Sequence, residues 1–156
     1  MKRVFLCFFL IGVSGACRGV ERQHFERLDG AGRAIEAAIS AKVDLPHYRQ
    51  LLEGFSAELA EARTRARTSR EHALLAQYEG AYRGLTDLGL MWEAKDSRGS
   101  DMLPIREDLP ARIAREYDLG VNTNDPPSIY ANEALQAIWA ATKTQLDAAT
   151  RSLNGA

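Results

Sequence analysis

The sequence predicts an all-α protein: an up-down antiparallel bundle of four to five helices behind a cleaved signal peptide. Three observations carry this. Beyond residue 20, apolar residues recur at spacings of three and four, the period of one helix face. Nowhere does the two-residue alternation of a half-buried strand persist. Ala, Leu, Glu and Arg are abundant while Val and Ile are sparse, a composition of helix formers. At 156 residues, 46% hydrophobic and 26% charged, the chain suits one packed domain.

The first element is a leader. Lys2 and Arg3 open it, residues 4–13 form an apolar run, and Ser14-Gly15-Ala16 are small. That order is the grammar of a secretory signal, and the run is shorter than the ~20 residues a spanning helix needs. Residues 1–16 are therefore expected to be removed, leaving 17–156 as the bundle domain. Only two cysteines exist, Cys7 within the leader and Cys17 directly after it, so the mature chain holds no cysteine pair to close a loop.

Val13-Ser14-Gly15-Ala16-Cys17 resembles the lipobox of bacterial lipoproteins. The resemblance implies that Cys17 becomes the mature N-terminus and carries a lipid, with the membrane as a partner through that anchor. Ser14 departs from the aliphatic residue usual in the family, and ordinary cleavage after Ala16 with periplasmic release stays open. Arg18 is not the aspartate associated with inner-membrane retention, so the implied place is the outer membrane, facing the periplasm.

The mature helices follow in order. Over 20–42, Phe25, Leu28, Gly32, Ile35 and Ile39 form one stripe. Asp44 is an N-cap and Pro46 suits a first turn. Tyr48, Leu52, Phe55, Leu59, Ala62 and Ala66 continue the pattern, and Leu75, Tyr78, Tyr82, Leu85, Gly89 and Trp92 resume it after a register shift at Thr68. Thr68 with Glu71 spells a capping box, which would make two helices. No Gly or Pro interrupts 59–79, and that continuity favours one long helix over 47–96, bent near Thr68. Residues 97–104 read as a loop; Asp108-Leu109-Pro110 opens a short helix that Gly120 stops. Ser128 is expected to cap the last helix, whose face carries Leu135, Ile138, Trp139, Thr142, Leu146, Ala149 and Leu153.

Chemistry-bearing motifs are few. His24, His47 and His72 lie apart, so no helical zinc pair or Cys-x-x-Cys-His haem site exists, and neither metal nor cofactor is expected. Glu21-Arg22-Gln23-His24 spells the Glu-x-x-His unit of di-iron bundles, yet it occurs once where two are required. Ser100 lacks a nucleophile elbow, and glycine-rich phosphate loops are absent. Glu58, Glu61, Glu71 and Glu79 are expected on solvated helix faces. These readings point away from an enzyme. Formal net charge is −1, falling to −3 without Lys2 and Arg3, which gives no reason to expect nucleic acid.

Two clusters remain as candidate contact sites. Arg63, Arg67 and Arg70, at i, i+4 and i+7 of one helix, would form a patch for lipid headgroups, polysaccharide or an acidic envelope protein. The bland alternative is a solvated face with local pairs such as Glu61 to Arg65. Tyr78, Tyr82 and Trp92 share a stripe that Trp139 would face, either as core or as an aromatic groove. Tyr78, Tyr82 and Trp92-Glu93, a Leu-Pro linker and Leu135-Gln136-Ala137-Ile138-Trp139 resemble exported helical proteins of bacteria, a likeness that implies no activity. The expected role is contact: a lipid-anchored structural or partner-binding module of the cell envelope. Its rival is a periplasmic binder of a small apolar or haem-like ligand.

Overall fold

A computed structural model describes residues 20–155. The leader and Cys17 lie outside the described residues. The chain runs as a 3-10 turn (Arg22–His24), α1 (Glu26–Ser40), α2 (Leu45–Arg65), α3 (Ser69–Arg98), β1 (Met102–Pro104), α4 (Asp108–Glu116), β2 (Ser128–Tyr130) and α5 (Ala131–Asn154). No helix among the described residues is long and apolar enough to cross a membrane.

Four long helices form an up-down bundle in the cyclic order α1, α2, α3, α5. Side-chain pairs fix the antiparallel senses. Arg27 reaches Glu58 from α1 to α2, and Arg63 reaches Glu79 from α2 to α3. Thr150 reaches Asp29 and Lys143 reaches Glu36 from α5 to α1. The α3–α5 contact is the most extensive, and small residues make it close. A Cβ on Gly84 would collide with Thr142 Oγ1, and one on Gly80 would stand 2.9 Å from Gln145 Oε1. Glycine at these positions lets the two helices approach.

The core follows the predicted stripes. Phe25, Leu28, Ile35, Tyr48, Phe55, Tyr78, Leu85, Ile113 and Ile138 are fully buried. Rings run through it as a chain: Phe25 stacks on Tyr78 at 6.4 Å, and Phe55 lies 6.4 Å from Tyr78 and 6.2 Å from Tyr82.

Several expectations change. The favoured continuous helix over 47–96 is two helices, because the capping box wins. Thr68 Oγ1 accepts the Glu71 N–H, Glu71 accepts the Thr68 N–H, and Ala66 leaves helical backbone at ψ 128°. Two reciprocal side-chain acceptors satisfy backbone N–H donors that an unbroken helix would have satisfied internally. The predicted 20–42 helix is a 3-10 turn followed by α1.

Asp44 caps α2 as expected, accepting from His47 N–H at 2.9 Å. Ser128 does not cap the last helix. It sits in β2, and α5 begins at Ala131 with its first amides taken by Asp101, through the main-chain oxygen at 2.7 Å and Oδ1 at 2.9 Å. A remote residue thus does the capping. Glu107 rather than Asp108 precedes α4, and the helix stops at Glu116, before Gly120, with Asp118 in the left-handed region at φ 50°. Met102–Pro104 pairs antiparallel with Ser128–Tyr130, a ribbon of three residues each. Strands that short leave no alternation to read.

Candidate functional site

A hollow of about 620 Å³ opens between the C-terminal end of α1, the second half of α3 and the first half of α5. Its walls are Ile39, Val43, Leu88, Leu135, Trp92 and Trp139, and its rim carries Lys42, Lys95, Asn132 and Gln136. Helical geometry accounts for the grouping. Leu88, Trp92 and Lys95 are successive turns of α3, and Asn132, Leu135, Gln136 and Trp139 are the matching face of α5. Both tryptophans are partly buried, so each keeps a wetted face. Trp92 is held from behind by Tyr48, 5.8 Å away, and the Tyr48 hydroxyl donates to Leu85 O at 2.6 Å. Burial pushes the Tyr48 phenol above its usual range, keeping it a neutral donor.

The charge around this groove is of one sign. Lys42 and Lys95 are its ionisable lining residues, and no carboxylate lines it. Lys95 donates to Asn132 Oδ1 at 2.6 Å across the mouth, from α3 to α5. A groove with two indoles, four aliphatic walls and two ammonium groups is suited to hold an apolar body with an anionic end. Its lining residues include no carboxylate, thiol or imidazole, and the two lysine amines are its ionisable groups.

The sequence-predicted aromatic set divides. Trp92 and Trp139 meet at the groove, as the stripes imply. Tyr78 is wholly buried instead, its hydroxyl donating to Asp29 Oδ1. Tyr82 packs on Phe55 and borders a separate hollow with Arg49, Leu52 and Glu53. The four do not form one groove, because Tyr78 and Tyr82 lie further back along α3, where α1 and α2 close over it.

The arginine patch also loses its frame. Arg63 is on α2 and paired with Glu79 at 2.6 Å. Arg67 lies in the connection, where its guanidinium donates to the main-chain oxygens of Thr64 and Ala66. Arg70 is on α3, in a hollow with Arg151. The i, i+4, i+7 face required an unbroken helix, and the break at 66–68 removes it. The expected Glu61–Arg65 pair is present.

Buried carboxylates are what sequence reading missed. Glu71, expected on a solvated face, is buried. It accepts from the N–H groups of Glu21, Arg67 and Thr68 at 2.9–3.0 Å. Burial alone would raise its pKa, but these bonds and the Thr68 hydroxyl outweigh it and hold the carboxyl at about 2. Its spacing from Thr68 was the one available signal. Asp29 accepts from Thr150, Arg33 and Tyr78, which overcome the effect of burial and lower its pKa. Asp87 takes Arg112 at 2.5 Å and the Tyr117 hydroxyl at 3.0 Å. Partners 25 to 121 residues away cannot be read from local spacing.

Glu21 and His24 do approach each other, with Nε2 at 3.3 Å from Glu21 and Nδ1 at 3.5 Å from Glu71. The two carboxylates address opposite ring nitrogens, so they cannot share one ion with His24. No group of three or more metal-ligating residues stands together among the described residues. Comparison with protein-family models, with curated proteins and with solved structures found no match to this chain.

Proposed function

We propose that this chain is a lipid-anchored contact module of the cell envelope, holding a partner in the groove between Trp92 and Trp139. The observation that supports this reading is the groove itself. A bundle that packs Phe25, Phe55 and Tyr78 without exposure leaves its two tryptophans partly wetted beside an open hollow of about 620 Å³. Indoles at such a mouth give large, rigid contact area with little rotamer entropy to lose, the usual equipment of a binding hot spot. The anchor rests on the leader and on Cys17, and the choice of contact over catalysis rests on the lining chemistry.

The test is a photo-crosslinking residue at position 135, in the groove wall, introduced into the full chain in its own host. A discrete adduct that disappears with Trp92→Ala and Trp139→Ala is expected. Adducts unchanged by both substitutions would defeat the groove as the contact site.

A second reading, a small apolar ligand, draws on the same walls and on the two lysines, which suit an anionic amphiphile better than a neutral one. Native mass spectrometry of protein purified from its host separates it from a protein partner by the mass retained. The haem-like version fits poorly: no His, Met, Cys or Tyr lines the groove to give the iron an axial ligand.

A further inference from the structure

The two ends of the bundle are chemically unlike, and the chain fixes which of them lies near Cys17. Val20 lines a hollow of about 390 Å³ at the end where α3 begins and α5 finishes, together with Arg70, Leu74, Gln77 and Arg151. Three peptide links separate Cys17 from Val20. Fully extended, they place the two Cα atoms at most about 11 Å apart. Whatever holds Cys17 therefore lies beside this end.

That end carries an excess of positive charge. Arg67, Arg70 and Arg151 are exposed and have no carboxylate within ion-pair distance among the described residues. The acidic groups nearby have other partners, Glu21 beside His24, Glu26 with Arg22 and buried Glu71 with three main-chain N–H groups, and the arginines Arg22, Arg67, Arg70 and Arg151 outnumber them. Three arginines held at one end of a chain of net charge −1 give a local field that complements a layer of phosphates.

The groove is at the other end. From Leu74 to Trp92 along α3 is about 27 Å, and from Ser152 back to Trp139 along α5 about 20 Å, at the helical rise of about 1.5 Å per residue. We propose that the Arg67, Arg70 and Arg151 end rests on anionic phospholipid headgroups of the membrane that holds Cys17, so that the bundle stands up and presents the tryptophan groove away from the bilayer. This rests on the anchor reading, and it adds a second membrane signal to the lipid. It also says where the groove's occupant comes from: the aqueous side.

The full chain, purified in processed form, tests both ideas separately. Intact mass first reports whether Cys17 is acylated. The protein is then placed on phosphatidylcholine vesicles with and without phosphatidylglycerol. On the anionic vesicles, amide exchange should slow at 69–74 and 151–155, an effect removed by high salt, which shortens the reach of the phosphate field. Arg70→Glu combined with Arg151→Glu should erase the difference between vesicles while the anchor still holds. The two native tryptophans, both in the groove, should remain unquenched by brominated acyl chains, which act at contact range. A mass without acyl chains removes the anchor and this proposal with it. A lipidated protein with quenched tryptophans, or with equal exchange on both vesicles, overturns the proposal alone.

Discussion

The two ends of the bundle use the same kind of sequence to opposite effect. Toward the end where α3 begins, aromatic residues at helical spacing close into a solid interior: Phe25, Phe55 and Tyr78 are fully buried, and Asp29 beside them is answered by three side chains. Toward the far end, Trp92 and Trp139 stand at equivalent positions of α3 and α5 but flank a hollow. The difference is in what covers them. α1 ends at Ser40 and gives way to a four-residue connection, so α3 and α5 continue past their neighbour. An apolar stripe thus reports that a helix has a face to bury, and the length of the opposing helix decides whether it is buried.

If that contrast is right, truncations should cost most at the closed end. Phe55→Ala should destabilise the domain by about 3–5 kcal/mol, measured by denaturant unfolding. The helix approach should come next. Gly84→Ala puts a methyl against Thr142 Oγ1 and should cost about 1–3 kcal/mol, with Thr142→Ala in the same chain recovering part of the loss. A neutral Gly84→Ala would mean that α3 and α5 sit further apart than described. At the open end, Trp139→Ala should cost only about 2 kcal/mol, since part of the ring already meets water. A loss matching Phe55→Ala would show the groove closed in solution and erase the comparison.

A further effect has a pH signature. Glu71→Gln removes charge-assisted acceptance from three N–H groups and should cost about 1–3 kcal/mol at neutral pH. The folded carboxyl titrates at about 2 against an ordinary 4.5, so its contribution is complete above pH 4.5 and is lost as pH falls toward 2. Asp29, also lowered, acts in the same direction. Unfolding curves of wild type and Glu71→Gln should therefore converge as the solution is acidified. A gap that widens with acid would contradict the assignment of Glu71 as a buried carboxylate.

Much of this architecture was legible in the residues. The stripes named the interior, Asp44 and the Thr68–Glu71 box marked helix starts, and Gly99, at φ 60°, stands where the loop after α3 was read. The absence of Gly and Pro between 59 and 79 is the weaker signal there, and the complete capping box the stronger one. Capping is a positive local interaction, whereas an uninterrupted run only permits a helix to continue. Asp101 capping α5 and Thr150 answering Asp29 were illegible because each joins residues brought together only by the finished fold. The groove was half legible: Trp92 and Trp139 could be paired by stripe, but the point where α1 stops covering them could not.

The three residues 66–68 also set the size of the molecule. Had the helix continued through them, residues 45–98 would form a rod of about 80 Å, longer than a small domain is wide. Folding it back at Thr68 turns that length into two adjacent walls and returns α3 alongside α2. The carboxylate that secures the reversal also accepts the Glu21 N–H, 50 residues earlier in the chain. The segment before α1 and the turn between α2 and α3 are thus clasped by one side chain. A pull transmitted from the N-terminal segment would be borne first at Glu71, at the joint between two helices, before it reached the interior.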